Sequence, residues 1–161
     1  MQLILIRHAD AGDRDAALWP DDADRPMSAK GAKRHRRAVK RLRRTELIPT
    51  MVLASPWTRA WQTAEVTSEV LGAPAPVRCP ALAAPPDLAG LNAAVGPQPP
   101  DAIIALVGHE PWLGELAGLL LTGDSGGVAI DFPKSGILGL HAEQCTAGSA
   151  SLEFFWRPKG S

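Results

Sequence analysis

Two apolar runs in this chain end in a histidine. Leu3-Ile4-Leu5-Ile6 leads into Arg7-His8, and Ile103-Ile104-Ala105-Leu106-Val107 leads into Gly108-His109. Between them, Met51–Ala54 is followed by Ser55-Pro56-Trp57-Thr58-Arg59, which puts Arg59 in the first turn of a following helix. Guanidinium forks match phosphate geometry, and a helix N-terminus favours an anion, so Arg7 and Arg59 suit a phosphoryl group. Two histidines within reach of that group can divide the work. One attacks phosphorus while the other donates hydrogen bonds to its oxygens. Imidazole suits the attack, because a free pKa of about 6.5 leaves a large neutral, nucleophilic fraction at pH 7. One histidine at a strand end is ordinarily a structural hydrogen-bonding residue. Two at the ends of the two most apolar runs is a rarer coincidence.

Those side chains need a frame that brings distant positions together. Short apolar runs alternate with helix-like segments. Strands are expected at Gln2–Ile6, Met51–Ala54, Ala75–Arg78 and Ile103–Val107, and helices at Ala29–Arg44, Pro56–Leu71, Asp87–Ala94 and Pro111–Leu121. Ser28 and Ser55 stand where N-caps belong, Pro56 at a first helical position, and Gly72 at a C-terminal stop. Three consecutive strands with hairpin links are expected at Val128–Phe132, Gly136–His141 and Ser151–Trp156. Alternation of this kind predicts a three-layer α/β/α fold, with a mostly parallel central sheet and antiparallel C-terminal edge strands. Ligands of such sheets bind beyond the carboxyl ends of the strands, where both histidines fall. Gly96-Pro97-Gln98-Pro99-Pro100 is too short to divide the chain, so residues 1–161 read as a single domain.

Composition narrows the classes. With 17 basic and 17 acidic residues the net charge is zero, and 15 glycines with 15 prolines make the chain loop-rich without reaching low complexity. Cys79 and Cys145 form no CxxC pair, so neither a zinc knuckle nor a thiol redox motif is indicated. No apolar run approaches the roughly 20 residues that span a bilayer, and no signal peptide is recognisable, so a cytoplasmic protein without membrane association is expected. The charge is nevertheless polarised. Residues 10–24 hold six Asp and one Arg, and residues 30–44 hold nine Lys or Arg and no acid. An apolar thread through Ala32, Val39 and Leu42, with His35 or Arg36 filling the gap, makes the basic stretch an amphipathic helix with a wide solvated face. Nucleic acid is not an expected partner. Trp57, Trp61 and Trp112 are expected to pack helices on the sheet, His35 and His141 to be surface or hydrogen-bonded residues, and the 10–24 loop to be solvated.

The motifs resemble those of the histidine phosphatase (phosphoglycerate mutase-like) superfamily. Arg7-His8-Ala9 is similar to its Arg-His-Gly motif, with Ala9 replacing glycine. Ser55-Pro-Trp-Thr-Arg59-Ala-Trp-Gln62-Thr63-Ala64 resembles its Ser-Pro-x-x-Arg-Ala-x-Gln-Thr-Ala segment. Val107-Gly-His109-Glu110-Pro111 resembles its second histidine motif, and Arg25-Pro-Met-Ser28-Ala-Lys-Gly31 its Arg-Pro-Leu-Thr-x-x-Gly segment. These run in the superfamily's order from residue 1 to about 115. The short length, Arg-His-Ala start and His-Glu-Pro motif look like the small bacterial phosphohistidine phosphatases of the SixA type. The resemblance implies that His8 is a nucleophile that becomes transiently phosphorylated. It also implies that Arg7, Arg59 and His109 form the phosphate pocket, that Arg25 is a peripheral contact, and that no metal or organic cofactor is needed. The implied substrate is phosphohistidine on a histidine phosphotransfer domain, or else a small phosphorylated metabolite.

One departure bears on the substrate. Larger members carry a general-acid carboxylate soon after the third strand, where this chain reads Pro80-Ala-Leu82-Ala83-Ala84-Pro-Pro-Asp87. An alkoxide leaving group, whose conjugate acid has a pKa of about 16 by comparison with water, needs a proton as it departs. Imidazole leaves more readily, since its conjugate acid has a pKa of about 6.5. A site without a strong acid thus favours cleavage of a phosphorus–nitrogen bond, with Asp87 and Glu110 the candidate proton donors. Two rival readings stand beside this one. His8-x-Asp10 with His109-Glu110 offers metal ligands, although Arg7 and Arg59 would leave such a site with uncompensated positive charge. A non-catalytic module binding phosphohistidine or an acidic partner would use the basic helix but needs no second histidine.

Overall fold

The apolar runs that end in histidine lie side by side. In the computed structural model, which describes residues 1–158, β1 (Gln2–Arg7) and β4 (Ile103–Gly108) pair in parallel, with Arg7 opposite Gly108. Both are apolar at odd and even positions because both faces are covered. The six-stranded sheet has the order β3-β2-β4-β1-β5-β6, with β2 at Met51–Ala54, β3 at Val77–Arg78, β5 at Ile137–Ala142 and β6 at Ala150–Trp156. The first four are parallel to their neighbours; β5 runs antiparallel to β1, and β6 to β5.

On one face, Ile4, Ile6, Val52, Ala54, Ala105 and Val107 bury against α1 (Ala29–Arg44) and α2 (Thr58–Leu71). On the other, Leu3, Leu5, Leu53, Ile104 and Leu106 meet α3 (Leu88–Val95) and α4 (Trp112–Thr122). Consecutive residues thus feed opposite cores, as the two-residue period of a strand requires. The expected three-layer architecture is present. The buried stripe of α1 is Gly31, His35, Val39 and Leu42, with Ala32 only half-buried. No helix of the described residues is long and apolar enough to cross a membrane.

Several expectations need correction. Helix α2 begins at Thr58, two residues later than predicted, because the Ser55 hydroxyl closes a local turn on the Trp57 N–H (3.2 Å) and serves His109 instead of capping the helix. Helix α3 starts after Asp87, whose carboxylate caps it by accepting from the Gly90 N–H. Strand β3 has only two residues and α4 starts at Trp112. Val128–Phe132 is not a strand. Its backbone is spent elsewhere: the Phe132 N–H donates to Glu110 Oε1 (3.1 Å), and the Phe132 carbonyl accepts from Arg7. The β-like composition of that run serves burial of Phe132 in the core, not sheet pairing.

Candidate active site

Strand pairing brings the two histidines together. Because Arg7 faces Gly108 across the β1–β4 ladder, the next residue of each strand emerges at the same level, and the His8 N–H donates to the Gly108 carbonyl (3.0 Å). The two rings lie with centroids 5.0 Å apart, and both are buried. A pair separated by a hundred positions in sequence thereby becomes neighbours beyond the carboxyl end of the sheet.

The state of the His8 ring follows from its contacts. Nδ1 lies 2.7 Å from the Ala9 carbonyl oxygen, which can only accept, so Nδ1 carries the proton. Nε2 is left with its lone pair, which accepts a long hydrogen bond from Arg59 Nε (3.3 Å). Burial lowers the His8 pKa to about 3, against the Ala9 hydrogen bond and helped by the charges of Arg59, Arg7 and Lys134. A neutral imidazole whose unprotonated Nε2 lies among cations can act as a nucleophile toward phosphorus.

His109 is held differently. Its Nε2 pairs with the Ser55 hydroxyl at 2.8 Å, and Trp57 packs against its ring with centroids 4.5 Å apart. Burial lowers its pKa to about 3, with His8 and Arg59 adding to the effect. Its Nδ1 is buried without a partner, as is Arg7 Nε. Orphaned polar atoms at such depth cost free energy unless something binds them, and both belong to residues flanking His8. Arg7 is anchored from the far side by the Phe132 carbonyl.

Arg59 has an unforeseen partner. A 3-10 turn at Asp22–Asp24 lays Asp22 on the guanidinium: Oδ2 meets Nη2 at 3.0 Å, and the Asp22 carbonyl accepts from Nη1 at 2.7 Å. The same carboxylate takes Arg25 Nε at 2.9 Å, and Arg25 Nη1 donates to the Gly12 carbonyl at 2.7 Å. Asp22 therefore fixes the outer edge of Arg59 and turns Nε toward His8, while Arg25 ties the loop together beside it. The surrounding 10–24 loop is largely exposed as expected, but this turn is part of the site. The (i, i+3) spacing of Asp22 and Arg25 was the only signal available in the sequence.

The remaining motif residues hold the loop to the helix. Thr63 Oγ1 donates to the Arg59 carbonyl (2.6 Å) and accepts from the Ala9 N–H (3.0 Å), and Gln62 Oε1 accepts from the Met27 N–H (2.8 Å). Gly31 has no side chain because the Asp10 carbonyl sits where a Cβ would be; Ser28 donates to that same carbonyl. Asp10 itself is ion-paired with Lys134. Among the described residues no cluster of three or more His, Cys, Asp or Glu is arranged to hold a metal ion.

Trp57 and Trp112 wall the site around His109 instead of simply packing helix on sheet, whereas Trp61 lies under Arg78 outside it. A small cavity beside His109 is lined by Ala81, Ala84, Pro86, Asp87, Trp112 and Leu113. Both candidate proton donors are near by. Asp87 stands on that wall with one oxygen committed to its helix cap. Glu110 braces Phe132, and burial raises its pKa to about 7. Of the other histidines, His141 is exposed, and His35 is fully buried on Thr67 Oγ1 at 2.9 Å.

The sequence model of the histidine phosphatase superfamily (branch 1) matches residues 3–83. An uncharacterized protein of Picosynechococcus sp. is 36% identical over 144 residues, covering 88% of this chain and 86% of that protein. Among solved structures, the protein histidine phosphatase SixA complexed with tungstate superposes with a TM-score of 0.81 at 24% identity, over 98% of this chain and 97% of that one. A mycobacterial glucosyl-3-phosphoglycerate phosphatase in complex with VO3 gives a TM-score of 0.69 at 15% identity, over 98% and 99%.

Proposed function

Since the chain belongs to the histidine phosphatase superfamily, we propose that it removes the phosphoryl group from phosphohistidine carried on a protein, through a phosphohistidine intermediate at His8. The observation that carries this reading is the committed tautomer of His8: Nδ1–H bound to the Ala9 carbonyl and Nε2 unprotonated beside Arg59. The Nε2 lone pair attacks phosphorus, and the bond from phosphorus to the substrate imidazole breaks with its electrons returning to that nitrogen. Arg7, Arg59 and His109 hold the oxygens, with Arg7 Nε and His109 Nδ1 meeting the partners they otherwise lack. Arg25 acts at one remove, through Asp22. Water then attacks the phosphohistidine, phosphate leaves, and His8 regains its lone pair. These steps use only side chains of this chain and a water molecule, so the reading is of a metal-independent enzyme without a cofactor.

The choice of a phosphorus–nitrogen substrate is supported by the wall beside His109, where Ala81, Ala84 and Pro86 are apolar and Asp87, the acid among them, has one oxygen committed to its helix cap. It is also supported by likeness in fold to a structure named as a protein histidine phosphatase. Glu110 favours a second reading. A carboxyl held near neutrality could protonate an alkoxide, which would admit a small phosphomonoester. Turnover of N-phosphoimidazole, a histidine-phosphorylated protein and an aryl phosphate separates the two, with the nitrogen-linked pair expected to be faster. Labelled phosphate trapped on the enzyme in acid-labile form, and lost in His8→Ala, is the expected result for the intermediate. Undiminished turnover by His8→Ala overturns the mechanism.

A further inference from the structure

Five of the nine basic side chains of α1 share one face, with Lys33 and Lys40 along its edge. Lys30, Arg34, Arg37, Arg41 and Arg44 follow one another at four- and three-residue intervals and so share one face, the spacing with which a helix presents a seam to another helix. The other arginines look elsewhere: Arg36 pairs with Glu69, and Arg43 reaches the Val70 carbonyl, both on α2. From residue 30 to 44 the stripe extends roughly 21 Å at the helical rise.

This stripe begins beside the segment that follows His8. A shallow cleft between α1 and the Pro133-Lys134 turn is lined by Asp10, Lys30, Gly31, Arg34 and Lys134. Asp10 is two residues from His8, and its backbone carbonyl packs directly on Gly31 at the N-terminal end of α1. A second shallow cleft shares Arg34 and continues past Arg37, Arg41 and Arg44 to Arg157. Together they form one basic trough whose single acid at the mouth, Asp10, is already paired with Lys134.

Resting on the reading of a protein-borne substrate, we propose that this trough docks an acidic helix of the phosphorylated partner, laid along α1 so that its phosphoryl group reaches His8. Charge complementarity and length both fit one helix face with acids at matching intervals. A longer polyanion fits poorly. The acid-rich 10–24 loop leaves from Asp10 and rejoins at Ser28, at the N-terminal end of the trough, and its Asp13, Asp15, Asp21 and Asp24 are exposed. A nucleic-acid strand running on past the site would meet that charge. A membrane surface is disfavoured because none of the exposed large apolar side chains belongs to α1.

The test uses the full chain and two labelled helical peptides, identical except for Glu or Gln at four positions spaced i, i+4, i+7 and i+11. At about 0.05 M salt the Glu peptide is expected to bind roughly tenfold or more tightly than the Gln peptide, and at about 0.5 M the difference should vanish. Arg37→Glu with Arg44→Glu should abolish the preference, and Arg37→Lys with Arg44→Lys should keep it. Both positions are exposed and outside the site, so N-phosphoimidazole turnover should be unchanged in all variants. Equal binding of the two peptides overturns the proposal, as does a preference that survives the Glu variant. Competition by duplex DNA or anionic vesicles as strong as that of the Glu peptide overturns it too. Absent N-phosphoimidazole turnover would instead count against the phosphohistidine reading, and peptide binding would still decide the docking surface.

Discussion

Thr63→Val tests whether the loop after β1 is held to α2 in order to orient His8. Thr63 is fully buried, and its hydroxyl is the partner of the Ala9 N–H, itself in a fully buried residue. Valine has nearly the same shape and keeps the packing, so the change removes the oxygen and little else. The Arg59 carbonyl retains its helical N–H, which leaves one buried donor, Ala9 N–H, without a partner. Such an orphan costs about 1–3 kcal/mol, which for a chain of this size lowers Tm by roughly 2–12 °C. Chemistry should suffer as well. The carbonyl of Ala9 fixes the His8 tautomer, and releasing its amide lets that carbonyl turn away from Nδ1. A misorientation that raises the barrier by about 1.4 kcal/mol costs tenfold in kcat. Thr63→Ser keeps the oxygen and should retain most of the turnover despite a lost methyl. Thermal unfolding and steady-state turnover measured on both variants decide it. A Thr63→Val protein with wild-type Tm and kcat would refute the reasoning.

Other outcomes follow from the same geometry. His8, His35 and His109 are held neutral to about pH 3 in the fold but take up protons near pH 6.5 when unfolded, so stability falls as pH drops through that window. Glu110, raised to about 7, works in the opposite sense between about pH 4.3 and 7. Three histidines against one carboxyl leave a net uptake of about two protons on unfolding near pH 5.5, or roughly 2–3 kcal/mol per pH unit; urea titrations at several pH values should show that slope, and a flat profile would contradict it. Asp22→Asn keeps the hydrogen-bonding shape but removes a negative charge beside Arg59. A like charge close to the bound anion is worth about 1 kcal/mol even at the dielectric of water, so inorganic phosphate should inhibit at a roughly fivefold lower concentration; an unchanged or higher inhibition constant speaks against Asp22 as the countercharge. Gly31→Ala drives a methyl into the Asp10 carbonyl and should destabilise by about 1–3 kcal/mol with loss of turnover, read by unfolding and activity together.

Much of this molecule was legible from its sequence because the information is local. Helix α1 and strand β2 carry their own limits: Ser28 accepts from the Gly31 N–H, and a short run apolar on both parities reads as a doubly covered strand. That Arg7, His8, Arg59 and His109 would converge was legible too, since Arg7 ends β1, His8 and His109 directly follow β1 and β4, Arg59 lies in the first turn of the helix after β2, and the sheet of an alternating fold gathers those ends on one side. What failed was whatever depends on a partner distant in sequence. Val128–Phe132 reads as a strand by composition, but Glu110 and Arg7 claim its backbone. Ser55 looks like a cap until His109 arrives from β4. Asp22 looks like one more solvated acid in an acidic loop, because the sequence does not tell which guanidinium a carboxylate will meet. The state of the His8 ring was equally out of reach: a neutral imidazole with its proton on Nδ1 follows from burial and from the direction of one carbonyl. Periodicity and caps determined the elements and the strand ends; only packing decided which charges are paired, which protons are held, and where the lone pair points.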